Sequence, residues 1–265
     1  MCRHLAYLGP PVTLADCVLS QPHSLLRQSW APTDMRGGGT VNADGFGIGW
    51  LSGGSASGAA GGVARRYRRD RPIWSDASLP GLAASITSGA VMAAVRSATA
   101  GMPVTEAACA PFAAGPWLFS HNGVIQGWPD SVVPLAAGVP AKDLMTLEAP
   151  TDSAFLWALV RERLRRGESP AVALTGVVSR VLELATGSRL NLLLHDGLHL
   201  AATAVSHSLW VLQLEDSITV SSEPLDPGDS RWLPVPDLCV LEATATHHSV
   251  RPLDPLDTLF DPQPA

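Results

Sequence analysis

Short apolar runs with strand-like character lie on both sides of two helical patterns in the middle of the chain. Cys2 to Leu8 reads as a short strand, since no capping residue opens it. Thr13-Leu-Ala-Asp16 resembles a capping box with Asp in place of Glu and predicts a short helix to Ser20. In Gly45-Phe-Gly-Ile-Gly-Trp-Leu51 glycine alternates with apolar residues. That pattern predicts a strand whose bare face admits another backbone or a ligand. The Gly/Ser/Ala-rich stretch from Ser52 to Gly62 reads as a hairpin tip and Val63 to Arg69 as the returning strand. Val91 to Ser97 and Trp117 to Ser120 are further apolar strands that run into polar or small residues.

The clearest helix runs from Thr151, a good N-cap, to the stop at Gly167, with Phe155, Leu156, Leu159, Val160 and Leu164 at helical spacing. A second helix starts at Ser169-Pro170 and ends near Gly187. Leu190 to His195, Asp196-Gly197 and Leu198 to Val205 predict a hairpin with a type I′ turn. Strands from Leu209 to Leu214 and Ser217 to Ser221 follow, and the Pro/Asp-rich tail after Arg251 is expected to wrap the surface. Antiparallel strands on both sides of a helix pair imply two sheets, each covered by helices, in one layered α+β domain.

Composition narrows the function classes. With 265 residues, 46% hydrophobic and 16% charged, the chain can bury a substantial core and is not a disordered protein. Eighteen basic against 24 acidic side chains give a net charge of −6, which argues against nucleic acid or an anionic membrane as the main partner. The basic cluster from Arg65 to Arg71 reads as a solvated strand face. Pro, Gly, Ser and Asn break the uncharged stretches Ala77 to Val95 and Ala107 to Pro129, so no membrane span is predicted. No secretory signal is evident, and Cys2, Cys17, Cys109 and Cys239 form no CxxC motif; a cytoplasmic, reduced protein is the expectation. His195 and His199 flank the predicted turn and His247-His248 are adjacent, so no metal site is predicted. No cofactor is expected either. Lys142, the single lysine, lacks a glycine loop.

Candidate chemistry starts at Cys2. Methionine is normally trimmed before a small residue, and a terminal cysteine carries its own base, an α-amine that titrates near ~8. In Phe119-Ser-His-Asn-Gly-Val124, the Asn122 amide and the Gly123 N–H supply the two donors of an oxyanion hole, although Asn-Gly is also a common type I′ turn. Arg96 ends an apolar strand, where its guanidinium can grip a carboxylate in bidentate fashion. Asp152 sits in the first turn of its helix, suited to the helix dipole or to an ammonium group.

These segments together resemble the class II glutamine amidotransferase family, the N-terminal-nucleophile hydrolases with a cysteine. The resemblance runs through Met1-Cys-Arg-His-Leu5, Asn42-Ala-Asp-Gly-Phe-Gly-Ile-Gly-Trp50, Val95-Arg-Ser-Ala-Thr99, Ser120-His-Asn-Gly123, Thr151-Asp-Ser153 and Ser222-Glu-Pro-Leu225. It implies a single domain over residues 2–265, a four-layer αββα sandwich of two antiparallel sheets flanked by helices. Cys2-Arg-His-Leu5, Gln28-Ser-Trp30, Tyr67-Arg-Arg-Asp-Arg-Pro-Ile-Trp74 and Ala110-Pro-Phe112 are similar to the stand-alone hydrolases of ergothioneine biosynthesis. Those enzymes remove glutamate from γ-glutamyl hercynylcysteine sulfoxide.

The resemblance implies that Cys2 attacks a γ-carbonyl and forms a γ-glutamyl thioester, with Asn122 and Gly123 holding the oxyanion. It implies that Arg96 binds the α-carboxylate of a small γ-glutamyl substrate and Asp152 its α-ammonium, with His121 as a positioning residue. Trp30, Trp74, Trp117 and Trp128 flank these segments and are expected to face a quaternary ammonium or to pack in the core. Arg3-His4 depart from the small or apolar residues of many glutamine-dependent members, which bears on the leaving-group side. Some arginines of the 65–71 cluster are expected to face the substrate or brace the neighbouring loop. Two other readings are a glutaminase subunit that supplies ammonia to a separate synthetase partner, and a catalytically silent binding protein on the same scaffold. The oligomeric state stays open.

Overall fold

The computed structural model describes residues 2–36, 41–52 and 62–253. A seven-stranded sheet runs in the order β11 (Leu233–Pro234), β9 (Trp210–Gln213), β10 (Ile218–Ser221), β1 (Arg3–Thr13), β4 (Thr87–Val95), β2 (Phe46–Ser52) and β3 (Val63–Arg69). A six-stranded sheet runs in the order β13 (His248–Pro252), β12 (Cys239–Ala243), β8 (Leu200–Ala204), β7 (Arg189–His195), β6 (Trp117–Val124) and β5 (Phe112–Ala114). Every pairing is antiparallel.

Strand alternation sorts the apolar residues into three layers. Leu5 and Tyr7 of β1 pack with Phe46, Val91 and Val95 beneath α1 (Leu14–Val18), α2 (Leu25–Gln28) and α3 (Leu79–Ser85). Ala6 and Leu8, one position out of phase, lie between the sheets with Met92, Leu118, Leu193 and Val220. Phe119, Leu192 and Leu194 face α6 (Asp152–Arg165) and α7 (Pro170–Leu184). The result is the αββα sandwich the resemblance implies.

Both long helices start where the sequence indicates. Thr151 Oγ1 accepts the Ala154 N–H at 3.2 Å, Ser169 caps α7, and Gly167 and Gly187 lie beyond the two ends with positive φ. The bare face of β2 admits the cleft wall: a Cβ on Gly47 would lie 2.2 Å from the Ala110 carbonyl, and one on Gly49 would lie 2.7 Å from Pro111.

Four expectations are corrected. Asn122-Gly123 is no turn: β6 continues through both residues and pairs Asn122 with Asn191 and Gly123 with Leu190. Glycine is needed there because the strand passes so close to Arg189 that a Cβ would lie 1.8 Å from its carbonyl oxygen. The β7–β8 connection is not a two-residue type I′ turn, which needs positive φ at both central residues. Gly197 is positive at 91° and Asp196 is not; instead, the Asp196 carboxylate accepts the N–H groups of Leu198 at 2.9 Å and His199 at 2.8 Å. β1 runs on to Thr13 through a register shift between Leu8 and Val12. β5, β11, β12 and β13 were not foreseen. The predicted hairpin tip and the tail fall mostly outside the described residues.

Candidate functional site

At one end of the inter-sheet space the facing residues turn polar. Cys2, half-buried, donates its thiol to the Ser97 carbonyl at 3.6 Å. Arg96 follows β4 and is fixed by its backbone, its N–H donating to Gly45 O at 2.8 Å and its carbonyl accepting from Asp44 N–H at 3.0 Å. Its Nη1 donates to the Pro103 carbonyl at 2.8 Å, one of the five donors a guanidinium carries. Cys2, Arg96, Cys109, His121 and Ser153 line one narrow cleft of about 30 Å³, room for water but not for an amino acid without side-chain movement. Of the two thiols there, burial pushes Cys109 up to about 11, so it stays protonated near neutrality.

His121 bridges the cleft wall. Its Nδ1 lies 3.0 Å from Ser153 Oγ and its Nε2 3.0 Å from the Arg189 carbonyl. A carbonyl only accepts, so Nε2 carries a proton and donates it to Arg189 O. Next to Ser153, Asp152 is buried and accepts the Ile125 N–H at 3.1 Å and the Ser153 N–H at 2.7 Å, with Ser153 Oγ at 3.3 Å. Asn122 points between the sheets, where its Nδ2 donates to Ser222 Oγ at 3.4 Å.

Arg66 and Arg68 clamp Glu148 at 2.8 and 2.9 Å. They also donate to the carbonyls of Pro111 and Cys109, so these arginines brace the segment that walls the cleft. Among the described residues no group of three or more His, Cys, Asp or Glu is placed to hold a metal ion. No helix among them is long and apolar enough to cross a membrane.

The protein-family model for glutamine amidotransferases class-II matches residues 21–216, a span that starts beyond Cys2. The chain belongs to the class-II glutamine amidotransferases. It is 41% identical over 253 residues to the gamma-glutamyl-hercynylcysteine sulfoxide hydrolase of Mycolicibacterium smegmatis, covering 96% of this chain and 100% of that protein. The protein of the same name from Mycobacterium tuberculosis is 37% identical over 254 residues, 96% of this chain and 97% of the relative. A glutamine aminotransferase class-II domain protein from Silicibacter pomeroyi superposes with a TM-score of 0.66 at 23% identity, over 96% of this chain and 100% of that one. The glutamine phosphoribosylpyrophosphate amidotransferase of B. subtilis gives 0.60 at 13% identity, over 96% and 49%. At those identities the likeness is one of fold. Membership of the class-II amidotransferases points to amidohydrolase activity.

The structure brings some of the sequence-indicated residues of this amidotransferase together and separates others. Cys2, Arg96 and His121 share the cleft; Asn122, Gly123 and Asp152 adjoin its walls through their chain neighbours. Trp117 and Trp128 pack against the core under α6, so they form no exposed wall. Trp30 and Trp74 do not line the cleft; they are 38% and 44% exposed and meet edge to face at 5.8 Å, with the Arg27 guanidinium over Trp30. Arg3 and His4, the departures from the family pattern, are both buried. Arg3 is buried against Glu223 at 2.9 Å, and His4 is buried between the sheets with its Nδ1 3.2 Å from Ser120 Oγ. Burial, aided by His121, His207 and Arg3, lowers His4 to about 3, so it is neutral. Ser153 and Cys109 were missed as lining residues; Ser153 had a signal only in its place beside Asp152.

Proposed function

We propose that this chain hydrolyses a γ-glutamyl amide through a thioester on Cys2, and that its preferred substrate is γ-glutamyl hercynylcysteine sulfoxide, the compound in its relatives' names. The observation that carries this reading is the shared cleft, lined both by Cys2, just before β1, and by Arg96, just after β4. Loss of Met1 frees the Cys2 amine, which takes the thiol proton. The thiolate adds to the γ-carbonyl, and the developing oxyanion is received by the second Nδ2 hydrogen of Asn122 and the Gly123 N–H. Collapse breaks the C–N bond, and the Cys2 ammonium protonates the leaving amine. Water, deprotonated by the same amine, then cleaves the thioester and releases glutamate.

The zwitterionic end of the substrate suits the charges at hand. Arg96 takes the α-carboxylate with its remaining donors. Asp152 takes the α-ammonium: a carboxylate has about four acceptor sites, and two backbone N–H donors reach it here. Trp30 and Trp74 lie outside the cleft, so in this reading they meet the trimethylammonium where the leaving group extends beyond it. The test compares glutamate release from γ-glutamyl hercynylcysteine sulfoxide and from glutamine by the protein alone. The expected preference for the sulfoxide is ~100-fold or more in kcat/KM. Faster turnover of glutamine, or activity that appears only with an added synthetase, contradicts it.

A further inference from the structure

Ser222 and Glu223 follow directly on β10, where the chain passes the first residues of β1, and neither has a part in the reaction above. Glu223 is 1% exposed, yet its carboxylate accepts from Arg3 Nε at 2.9 Å, Asp34 N–H at 3.2 Å, His23 Nε2 at 2.6 Å, Thr33 N–H at 2.9 Å and Thr33 Oγ1 at 2.6 Å. Arg3, equally buried, passes the contact on: its Nη1 donates to the Cys2 carbonyl at 2.9 Å and its Nη2 to the Asp34 carbonyl. Ser222 works on the other side. Its Oγ donates to the His4 carbonyl at 3.3 Å and accepts from the His4 N–H at 3.0 Å and from Asn122 Nδ2. A hydroxyl has one proton; with that proton on His4 O, Asn122 presents its NH₂ to Ser222 and keeps a second N–H free.

A buried ion pair adds little to stability over an apolar pair of the same volume, and the bonds of this one run to residues around the site. We infer that Ser222 and Glu223 are positioning residues that align three parts of the site: Cys2 through Arg3, the Asn122 amide directly, and the segment after Trp30 through Thr33 and Asp34. The inference rests on the reading of Cys2 as nucleophile and Asn122 as oxyanion donor.

Ser222→Ala, Glu223→Gln and Thr33→Val are compared with the wild type below their melting temperatures. The readouts are kcat and KM on γ-glutamyl-p-nitroanilide and, without substrate, the rate at which iodoacetamide alkylates Cys2. Ser222→Ala is expected to lower kcat about tenfold, with KM within about twofold and alkylation unchanged, since only the oxyanion side is loosened. Glu223→Gln is expected to lower kcat about tenfold and to change the alkylation rate about threefold or more. Thr33→Val, which removes one of the five bonds and carries the Glu223 half if Glu223→Gln does not fold, is expected to lower kcat about threefold. Wild-type kcat in folded Ser222→Ala and in either folded Glu223-side variant overturns the inference. A wild-type protein that cleaves no γ-glutamyl amide overturns the proposed reaction instead.

Discussion

The two ends of the inter-sheet space are built by the same strands and behave as opposites. At one end β1, β4, β6 and β10 contribute Leu8, Met92, Leu118 and Val220, all buried and apolar. At the other end, on the same faces of β1, β6 and β10 or just past the strand ends, stand Cys2, His4, Ser120, Asn122 and Ser222, with Arg96 beyond β4. Only the side chains change along these strands, since the backbone ladders run on without a break from Leu118 through Gly123. The apolar end holds the sheets together, and the side chains of the polar end are held by hydrogen bonds of their own. The site therefore needs no loop of its own for its central groups.

If that division is correct, substitutions at the polar end move rates and those at the apolar end move stability. Cys2→Ala is expected to have the largest effect, lowering glutamate release ~10⁴-fold or more. The substrate should still bind, as isothermal titration would show, and the melting temperature should stay near that of the wild type. Leu118→Ala is expected to cost about 2–5 kcal/mol of stability in urea unfolding while kcat per folded molecule stays close to wild type. A large kcat loss in folded Leu118→Ala would erase the distinction between the two ends. Arg96→Lys keeps the charge and loses the planar fork, so kcat/KM on γ-glutamyl amides should fall roughly 10- to 100-fold. Wild-type rates in that variant would remove Arg96 from the site.

Acid sharpens the comparison, because the polar end hides a histidine. The folded pKa of His4 is lowered from 6.5 to about 3, so its contribution to stability is full above the unfolded value and is lost as pH falls between these limits. Glu223, lowered from 4.5 to about 2 by its His23 and Thr33 hydrogen bonds and by Arg3, loses its contribution in a lower window. Replacing His4 with Gln should therefore flatten the stability profile by about 1.4 kcal/mol per pH unit well below pH 6.5, leaving the profile above pH 7 unchanged in slope. An unaltered acid slope would show that His4 is not neutral in the folded protein. The smallest effect is expected at the surface. Trp30→Ala should raise KM about two- to fivefold for a trimethylammonium substrate and leave γ-glutamyl-p-nitroanilide unaffected.

Local signals carried much of this architecture. Thr151, Ser169-Pro170 and Gly167 mark the two long helices because caps and stops act within one turn, and Val63–Arg69 is bounded by its own punctuation. Cys2 and Arg96 were legible as chemistry, and the topology brings them to one cleft. What stayed hidden depends on partners distant in the chain. Asn122-Gly123 has the composition of a turn, and only the pairing with Asn191 and Leu190 keeps it extended. The partners of Arg3 and His4 were hidden because Glu223 and Ser120, which claim them, lie far away in sequence. The four tryptophans likewise divide by tertiary packing, two under α6 and two on the surface.

Mass spectrometry of the protein mixed with a slowly cleaved γ-glutamyl amide bears most directly on the nucleophile. The expected result is a chain lacking Met1 that carries one γ-glutamyl group on the Cys2 peptide, absent from Cys2→Ala. Glutamate release by a chain that retains Met1, or an adduct on Cys109 in place of Cys2, would contradict it.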